Sequence, residues 1–248
     1  MKKTLILIPS RMTATRLPGK PLLKINNLSI ISHVFKRAEE ANIGQVIVAT
    51  DDQEILDDVQ KNSGKAILTI KNHKTGTDRI FEAYEKLNIN NIDYILNLQG
   101  DEPDINKDDI INLNNFMINQ DAEIGTLAAK IQDDKMLNNK NVVKVVTDKK
   151  LAESNFPKAL NFTRDNLSAV SQNIYHHIGI YSYKVSALKK FVSLDQTNNE
   201  KINKLEQLRA LDNKLKINVA LAKSSPIGVD TEEDYLAIKK IMEYKNIR

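Results

Sequence analysis

Residues 6–23 read ILIPSRMTATRLPGKPLL, and the reading of this stretch decides the fold. Leu5, Ile6, Leu7 and Ile8 form an apolar run that stops at Pro9; being short and bounded by a breaker, it reads as a fully buried strand. The segment after it cannot readily be helical, because Pro18 and Pro21 each remove an N–H donor and restrict the residue before them, with Gly19 between. Open α/β sheets bind ligands at the carboxyl ends of their strands. Arg11, Arg16 and Lys20 on a stiff loop at that edge therefore point to a pocket for a multiply charged anion, a triphosphate cradle. The competing reading is a surface loop with ordinary solvated basic residues.

Outward from this stretch, strand and helix patterns alternate. Ile30, Ile31, Val34, Phe35 and Ala38 recur at helical spacing, and residues 46–49 form a second buried strand that ends in Thr50 and Asp51. Asp51 with Glu54 resembles a capping box, which predicts that the helix through Ile55, Leu56 and Val59 starts at Asp51. Strands are expected over 66–70, 94–98, 124–129, 142–146, 175–183 and 217–222. Helices are expected through Ile80, Phe81 and Tyr84, through Ile110, Leu113 and Met117, over 200–213, and at the end of the chain with Thr231 as N-cap. Residues 151–171 read as polar and irregular. Alternation with short connections predicts a mostly parallel sheet with right-handed crossovers, an α/β fold in one domain over residues 1–248.

Bulk properties exclude several classes. A chain of 248 residues buries a sizeable core without staples, and the absence of cysteine removes disulfides, thiolate catalysis and sulfur-based zinc sites. With no apolar run of about twenty residues and no long apolar leader, a cytoplasmic protein without membrane contact is expected. The net charge of +4 does not signal nucleic acid, since lysines are interleaved with acidic residues and no tryptophan is present to stack bases. P-loop and dinucleotide glycine patterns are missing, which removes the main support for ordinary kinases and dehydrogenases.

Three further loops carry candidate chemistry. Residues 73–79, HKTGTDR, place hydroxyls and a glycine at a helix N-terminus, which suits a nucleobase edge, a phosphate, or a plain capped turn. Residues 99–103, QGDEP, set an acidic pair directly after a strand with a glycine that permits close approach, a place for a hard divalent cation such as Mg²⁺ or for a solvated turn. Asp230, immediately before the Thr231 cap, is free to be a second metal carboxylate. His176 and His177 are adjacent in a strand and point to opposite faces, so at most one faces a site.

Together, Pro9-Ser10-Arg11, the run from Thr15 to Leu22, Ala49-Thr50-Asp51, Thr75-Gly76-Thr77-Asp78-Arg79, Gln99-Gly100-Asp101-Glu102-Pro103, His177-Ile178-Gly179-Ile180-Tyr181, Leu205-Glu206-Gln207-Leu208-Arg209 and Gly228-Val229-Asp230-Thr231 resemble the CMP-KDO synthetases, the 3-deoxy-manno-octulosonate cytidylyltransferases. The resemblance spans nearly the whole chain. It implies a Rossmann-like nucleotidyltransferase fold with a smaller sugar-site and dimerisation region, a homodimer, and transfer of CMP from CTP to KDO with release of pyrophosphate, a step of lipopolysaccharide biosynthesis. By the same resemblance Arg11, Arg16, Lys20, Asp101 and Asp230 act in catalysis, and Pro9, Arg11, Lys20, Thr75, Gly76, Arg79 and Asp101 bind the nucleotide. Asp101 and Asp230 match the family's Mg²⁺ ligands. Gln99, Arg164, His177, Tyr181, Glu206 and Gln207 correspond to sugar-site positions, with Arg164 facing the substrate carboxylate. The chain departs from the family pattern at residues 26–29, at Glu232, and at Asp165-Asn166-Leu167, where an Ile-Pro usually follows the arginine. That last departure leaves an 8-amino-KDO or another acidic sugar open as the acceptor. A glycosyltransferase and a nucleotide-binding regulator without turnover stand as the readings from other classes.

Overall fold

A computed structural model describes residues 2–13, 16–71, 73–167 and 171–245. The opening apolar run is the middle of a sheet. Strand β1 (Thr4–Ser10) pairs in parallel with β4 (Gly44–Thr50) on one side and with β6 (Tyr94–Asn97) on the other. Beyond β4 lies β5 (Ala66–Leu68), also parallel. The chain thus builds outward from β1 in one direction and then returns to the opposite side for β6. Between β1 and β6 the strand order reverses, which opens a crevice at the carboxyl ends of these two strands.

Between β1 and β4 the chain makes a 3₁₀ turn (Lys20–Leu22), a two-residue hairpin of β2 (Lys24–Ile25) and β3 (Leu28–Ser29), and helix α1 (Ile30–Glu40). Asn26 and Asn27 take positive φ of 50° and 63°, the geometry that a two-residue hairpin turn requires and that Asn tolerates. Ser29 caps α1 by accepting from the Ser32 amide, and the five apolar positions expected on its inner face are buried. Helix α2 (Gln53–Lys61) is capped by Asp52, one residue later than the Asp51 start expected from sequence. Asp51 is engaged elsewhere, with its Oδ2 3.2 Å from Arg79, so tertiary pairing overrides the local capping pattern. Helix α3 (Gly76–Leu87) runs back to β6, capped by Thr75, and α4 (Lys107–Gln120) to β7 (Ile124–Ala129).

After β7 the parallel pattern breaks. Short helix α5 (Asp134–Asn138) leads to β8 (Lys144–Thr147), β9 (Ala159–Thr163) and the long β10 (Ile174–Lys184). Strand β10 inserts antiparallel between β6 and β7, while β8 pairs with both β10 and β9. Strand β9 lies inside the stretch expected to be irregular. Leu160 and Asn161 are exposed, so its alternation is too weak to read, and pairing with β8 makes the strand. Helices α6 (Val185–Val192), α7 (Asn198–Asn203) and α8 (Leu208–Asp212) precede β11 (Ile217–Leu221), which pairs in parallel with β7, and α9 (Glu232–Lys245) follows. Along the main path, β11-β7-β10-β6-β1-β4-β5, only β10 runs against its neighbours among the described residues.

The single helix expected over 200–213 is two. Lys204 takes a left-handed φ of 52° and separates α7 from α8. The cause is a buried ion pair: Arg209 donates to both oxygens of Glu200 at 2.9 and 2.6 Å, with the two side chains only 3% and 4% exposed. On a continuous helix, residues nine apart lie on opposite faces and about 13–14 Å apart along the axis. Turning the chain at Lys204 lets the charges meet.

Apolar clusters cover both faces of the sheet. One is built on Ile6, Ile8, Val34, Phe35 and Leu96, the other on Leu5, Leu7, Ile95, Leu188 and Phe191. A third joins Ile25, Ile30, Val229, Ile238 and Met242, with Leu17 packed against it. This small cluster matters for function, because it fastens the basic loop after β1 to the segment that precedes α9. Among the described residues no helix is long and apolar enough to cross a membrane.

Candidate active site

The crevice between β1 and β6 holds a cavity of about 350 Å³. Its walls come from four segments that the sheet brings to one edge: Pro9 at the end of β1 with Arg11, Arg16 and Lys20 after it, Thr75, Gly76 and Arg79 at the start of α3, Gln99 and Asp101 after β6, and Asp230 before α9. Pro9 is the pivot. A side chain on Gly76 would stand 3.3 Å from the Pro9 ring and one on Gly100 would stand 2.9 Å from its carbonyl oxygen, so two glycines let the three loops close on it.

Charges of both signs meet inside. The Lys20 ammonium donates to Asp101 Oδ2 at 2.7 Å, to the Val229 carbonyl at 2.8 Å and to Asp230 Oδ1 at 3.2 Å. Arg16 donates to the other Asp230 oxygen at 2.8 Å. Burial works against the Lys20 charge, yet Asp101 and then Asp230 outweigh it and hold the ammonium above its ordinary pKa. Behind Asp101 the Glu102 carboxyl is pushed up to about 8, by burial first and then by the charge on Asp101. Arg79 is buried, and its guanidinium donates to Thr69 Oγ1 at 2.6 Å and pairs with Asp51. It therefore ties the start of α3 to the ends of β4 and β5.

Among the described residues no group of three or more His, Asp or Glu is arranged to hold a metal ion. The pair Asp101 and Asp230 fits Mg²⁺ nonetheless, because this ion is commonly held by one or two carboxylates and completes its shell with water and phosphate oxygens. A single cationic group, the Lys20 ammonium, already bridges the two carboxylates.

Of the sugar-site residues expected from sequence, Gln99 lines the cavity, while His177, Tyr181, Glu206, Gln207 and Arg164 stand outside this lining. The Gln99 amide also joins the cavity to β10, donating to the Gly179 carbonyl at 3.2 Å beside the bulge in that strand. His177 and Tyr181 lie in a row of rings, Phe162, His177, Tyr181, Tyr183 and Phe191, with neighbouring centroids 5.0–6.0 Å apart. Tyr181 Oη and Glu206 Oε1 are buried without hydrogen-bond partners among the described residues. Burial raises the Glu206 pKa, while the hydroxyls of Thr75 and Thr77 oppose the rise, which places Glu206 directly behind the α3 loop of the cavity. Gln207 follows it at the start of α8. Arg164 donates to the carbonyls of Lys140 and Asn141, both at 3.2 Å, just before β8, which pairs with the start of β10 whereas β6 pairs with its end.

His177 is one of the adjacent histidines, and each of the pair has its own partner. The Thr126 hydroxyl has one proton, directed at the Ile180 carbonyl at 2.7 Å, so His177 Nε2–H is the donor to Thr126 Oγ1 at 3.0 Å. His176 instead meets Ser225 at 2.7 Å. Burial, and then His176, pushes the His177 pKa down from 6.5 to about 3. The folded state thus resists a proton that the unfolded chain accepts below pH 6.5. His177 costs no stability above that pH, and the protein should lose about 1.4 kcal/mol per pH unit as the pH falls from there toward 3. Denaturant unfolding of His177→Asn at pH 7 and pH 5 checks this. The variant should lose about 2 kcal/mol less than the parent between the two, and an equal loss would refute the assignment.

Ser10, Pro21, His73, Lys74 and Gly100 also line the cavity, although sequence reasoning did not single them out as site residues. Lys74 had a readable signal, a cation directly before a helix N-terminus. His73 had none, because its place depends on its contact with Glu82, a carboxylate on α3 that also accepts from the Ile70 amide and Lys86.

A mostly parallel sheet with a cationic crevice at its topological switch point and two carboxylates facing it defines a nucleotidyltransferase. A family model described as cytidylyltransferase matches residues 5–217. Proteins called 3-deoxy-manno-octulosonate cytidylyltransferase, from Rhodopseudomonas palustris strain BisB18 and Thermodesulfovibrio yellowstonii, are 43% and 44% identical. The alignments cover 98% and 96% of this chain and 98% of each relative. The solved structure of CMP:2-keto-3-deoxy-manno-octonic acid synthetase complexed with CTP superposes with a TM-score of 0.89 at 33% identity, covering 98% of this chain and all of that one. This chain belongs to the cytidylyltransferase family, among the 3-deoxy-manno-octulosonate cytidylyltransferases.

Proposed function

We propose that the protein transfers CMP from CTP to the anomeric hydroxyl of 3-deoxy-D-manno-octulosonate and releases pyrophosphate. The observation that carries this reading is the end-to-end match to relatives of that name, laid over a cavity in which Arg11, Arg16 and Lys20 face Asp101 and Asp230. Attack of a hydroxyl on the α-phosphorus depends on positioning and charge neutralisation rather than on a covalent nucleophile. Arg11, Arg16 and Lys20 would lie against the triphosphate and offset charge developing on the leaving pyrophosphate. Asp101 and Asp230 would hold Mg²⁺, which supplies Lewis-acid polarisation of phosphate oxygens and a lowered pKa for a coordinated hydroxyl. Gly76 and the first amides of α3 offer close backbone approach and N–H donors to the nucleotide, with Thr75 as the cap and Pro9 beneath them.

On the acceptor side, Gln99, His177, Tyr181, Glu206 and Gln207 would receive the sugar, and Arg164 its carboxylate. The unpartnered oxygens of Tyr181 and Glu206 support this, since buried polar atoms are normally hydrogen-bonded and these two are left for a ligand. We also place the protein in the cytoplasm as a homodimer. The absence of cysteine agrees with the compartment, and exposed Leu160 and Ile202 offer apolar surface for a second copy. The test is pyrophosphate release from CTP and Mg²⁺ with and without 3-deoxy-D-manno-octulosonate, beside the 8-amino sugar and the other nucleoside triphosphates. Release that depends on both CTP and the unmodified sugar supports the reading. Release with the amino sugar alone moves the specificity, and none with any sugar overturns the function.

A further inference from the structure

We propose that Lys20 is the resident counter-cation of the nucleotide-free site, holding Asp101 and Asp230 together until a divalent cation replaces it and its ammonium moves onto the phosphates. The inference rests on the reading of Asp101 and Asp230 as metal ligands. It starts from a donor count. A lysine ammonium has three N–H donors, and here Asp101, Val229 and Asp230 take one each, at 2.7, 2.8 and 3.2 Å. None remains for a phosphate. The arrangement seen and a triphosphate-binding Lys20 therefore exclude one another, and passage between them requires the carboxylates to gain another cation.

The other cations of the cavity divide on the same line. Arg16 is committed to Asp230 Oδ2. Arg11 and Lys74 line the cavity without an ion-pair partner among the described residues, so they can meet an incoming anion first. Lys20 is then recruited once it is released.

Backbone anchoring confines the exchange to a side chain. Gly19, at φ +72°, is tied to Met12 by an amide hydrogen bond of 3.2 Å, and Pro21 is buried. Val229, fully buried in the third apolar cluster, donates its amide to the Asp101 carbonyl at 2.9 Å, which locks the two carboxylate-bearing segments together. No loop has to open. The flexible four-carbon stem of Lys20 is enough to carry the ammonium from the carboxylates into the cavity.

The consequence is a coupling between cation and nucleotide. In the bare protein a divalent cation has to displace Lys20, so its apparent affinity is reduced. With nucleotide present the phosphates take up the displaced ammonium, and each ligand strengthens the other by the same factor.

The experiment measures Mn²⁺ binding to the whole protein by electron paramagnetic resonance, at matched free Mn²⁺, without sugar, and with or without saturating CTP. Lys20→Met should tighten Mn²⁺ binding to the nucleotide-free protein by about tenfold, but by less than about twofold once CTP is bound, because most of the coupling is gone. Equal gains in both states would mean that Lys20 only repels the ion at a distance, and no gain would mean that it does not compete; either overturns the exchange. Lys20→Ala, which leaves no apolar chain between the carboxylates, should repeat the pattern, and thermal unfolding verifies that both variants are folded. Asp101→Asn separates the two ideas. If it leaves Mn²⁺ binding intact, the metal assignment itself is wrong and the inference falls with it; if it weakens binding while Lys20→Met behaves as the parent does, only the exchange fails.

Discussion

Asp101→Asn is expected to lower kcat/KM for CTP-dependent pyrophosphate release by about two to three powers of ten or more, the scale seen when one preorganised charge-stabilising group is removed. The protein should stay folded. Asp101 sits on the loop after β6 rather than in the core, and the backbone carbonyl that receives the Val229 amide survives the substitution. Asparagine also keeps an oxygen that can accept from Lys20, and the mostly buried ammonium keeps Asp230 and the Val229 carbonyl, so the structural loss is about 1 kcal/mol. For a chain of this size that corresponds to a Tm lower by about 2–4 °C. Initial rates and thermal unfolding measured on one preparation check both halves. A collapse of Tm would make Asp101 a fold residue, and retained turnover would remove it from the chemistry.

Arg209→Met is expected to cost about 3–5 kcal/mol of stability, because it leaves the Glu200 carboxylate buried without its bidentate partner. The guanidinium also lies 4.7 Å over the ring of Phe191, so the substitution loses that contact too. Urea unfolding should show a lower midpoint with an unchanged m-value and a Tm reduced by about 6–20 °C. Pairing the change with Glu200→Leu should recover part of the loss, since an apolar pair of similar volume removes the stranded charge. A loss below about 1 kcal/mol for the single variant would mean that the pair does not hold α7 against α8. The same variant tests the turn that sets Glu206 behind Thr75 and Thr77, whose displacement would loosen the α3 side of the cavity.

The parallel core was legible because its signals are local. The apolar run of β1, the helical spacing in α1 and the breakers around Gly19 each act within a few residues, so no knowledge of distant partners was needed. The lining of the cavity was legible for a related reason. Arg11, Arg16, Lys20, Thr75, Gly76, Gln99, Asp101 and Asp230 all lie at carboxyl ends of strands or at helix starts, and a parallel sheet collects such positions at one edge. The Asp51 cap, the helix over 200–213 and the silence over 151–171 misled because distant charges or strands decided them. Arg79 took Asp51, Glu200 took Arg209, and β8 made a strand of β9.

By itself, then, the sequence determined which segments are buried, which loops carry cations and carboxylates, and which family the chain resembles, since spacing and residue chemistry act along the chain. Only the tertiary structure decided that β10 runs antiparallel through the sheet, that Arg164 rests on the 140–141 carbonyls, and that Lys20 uses all its donors on two carboxylates and a carbonyl. Those facts depend on groups dozens to hundreds of residues apart, and distance along a chain says nothing about distance in space until the core has closed.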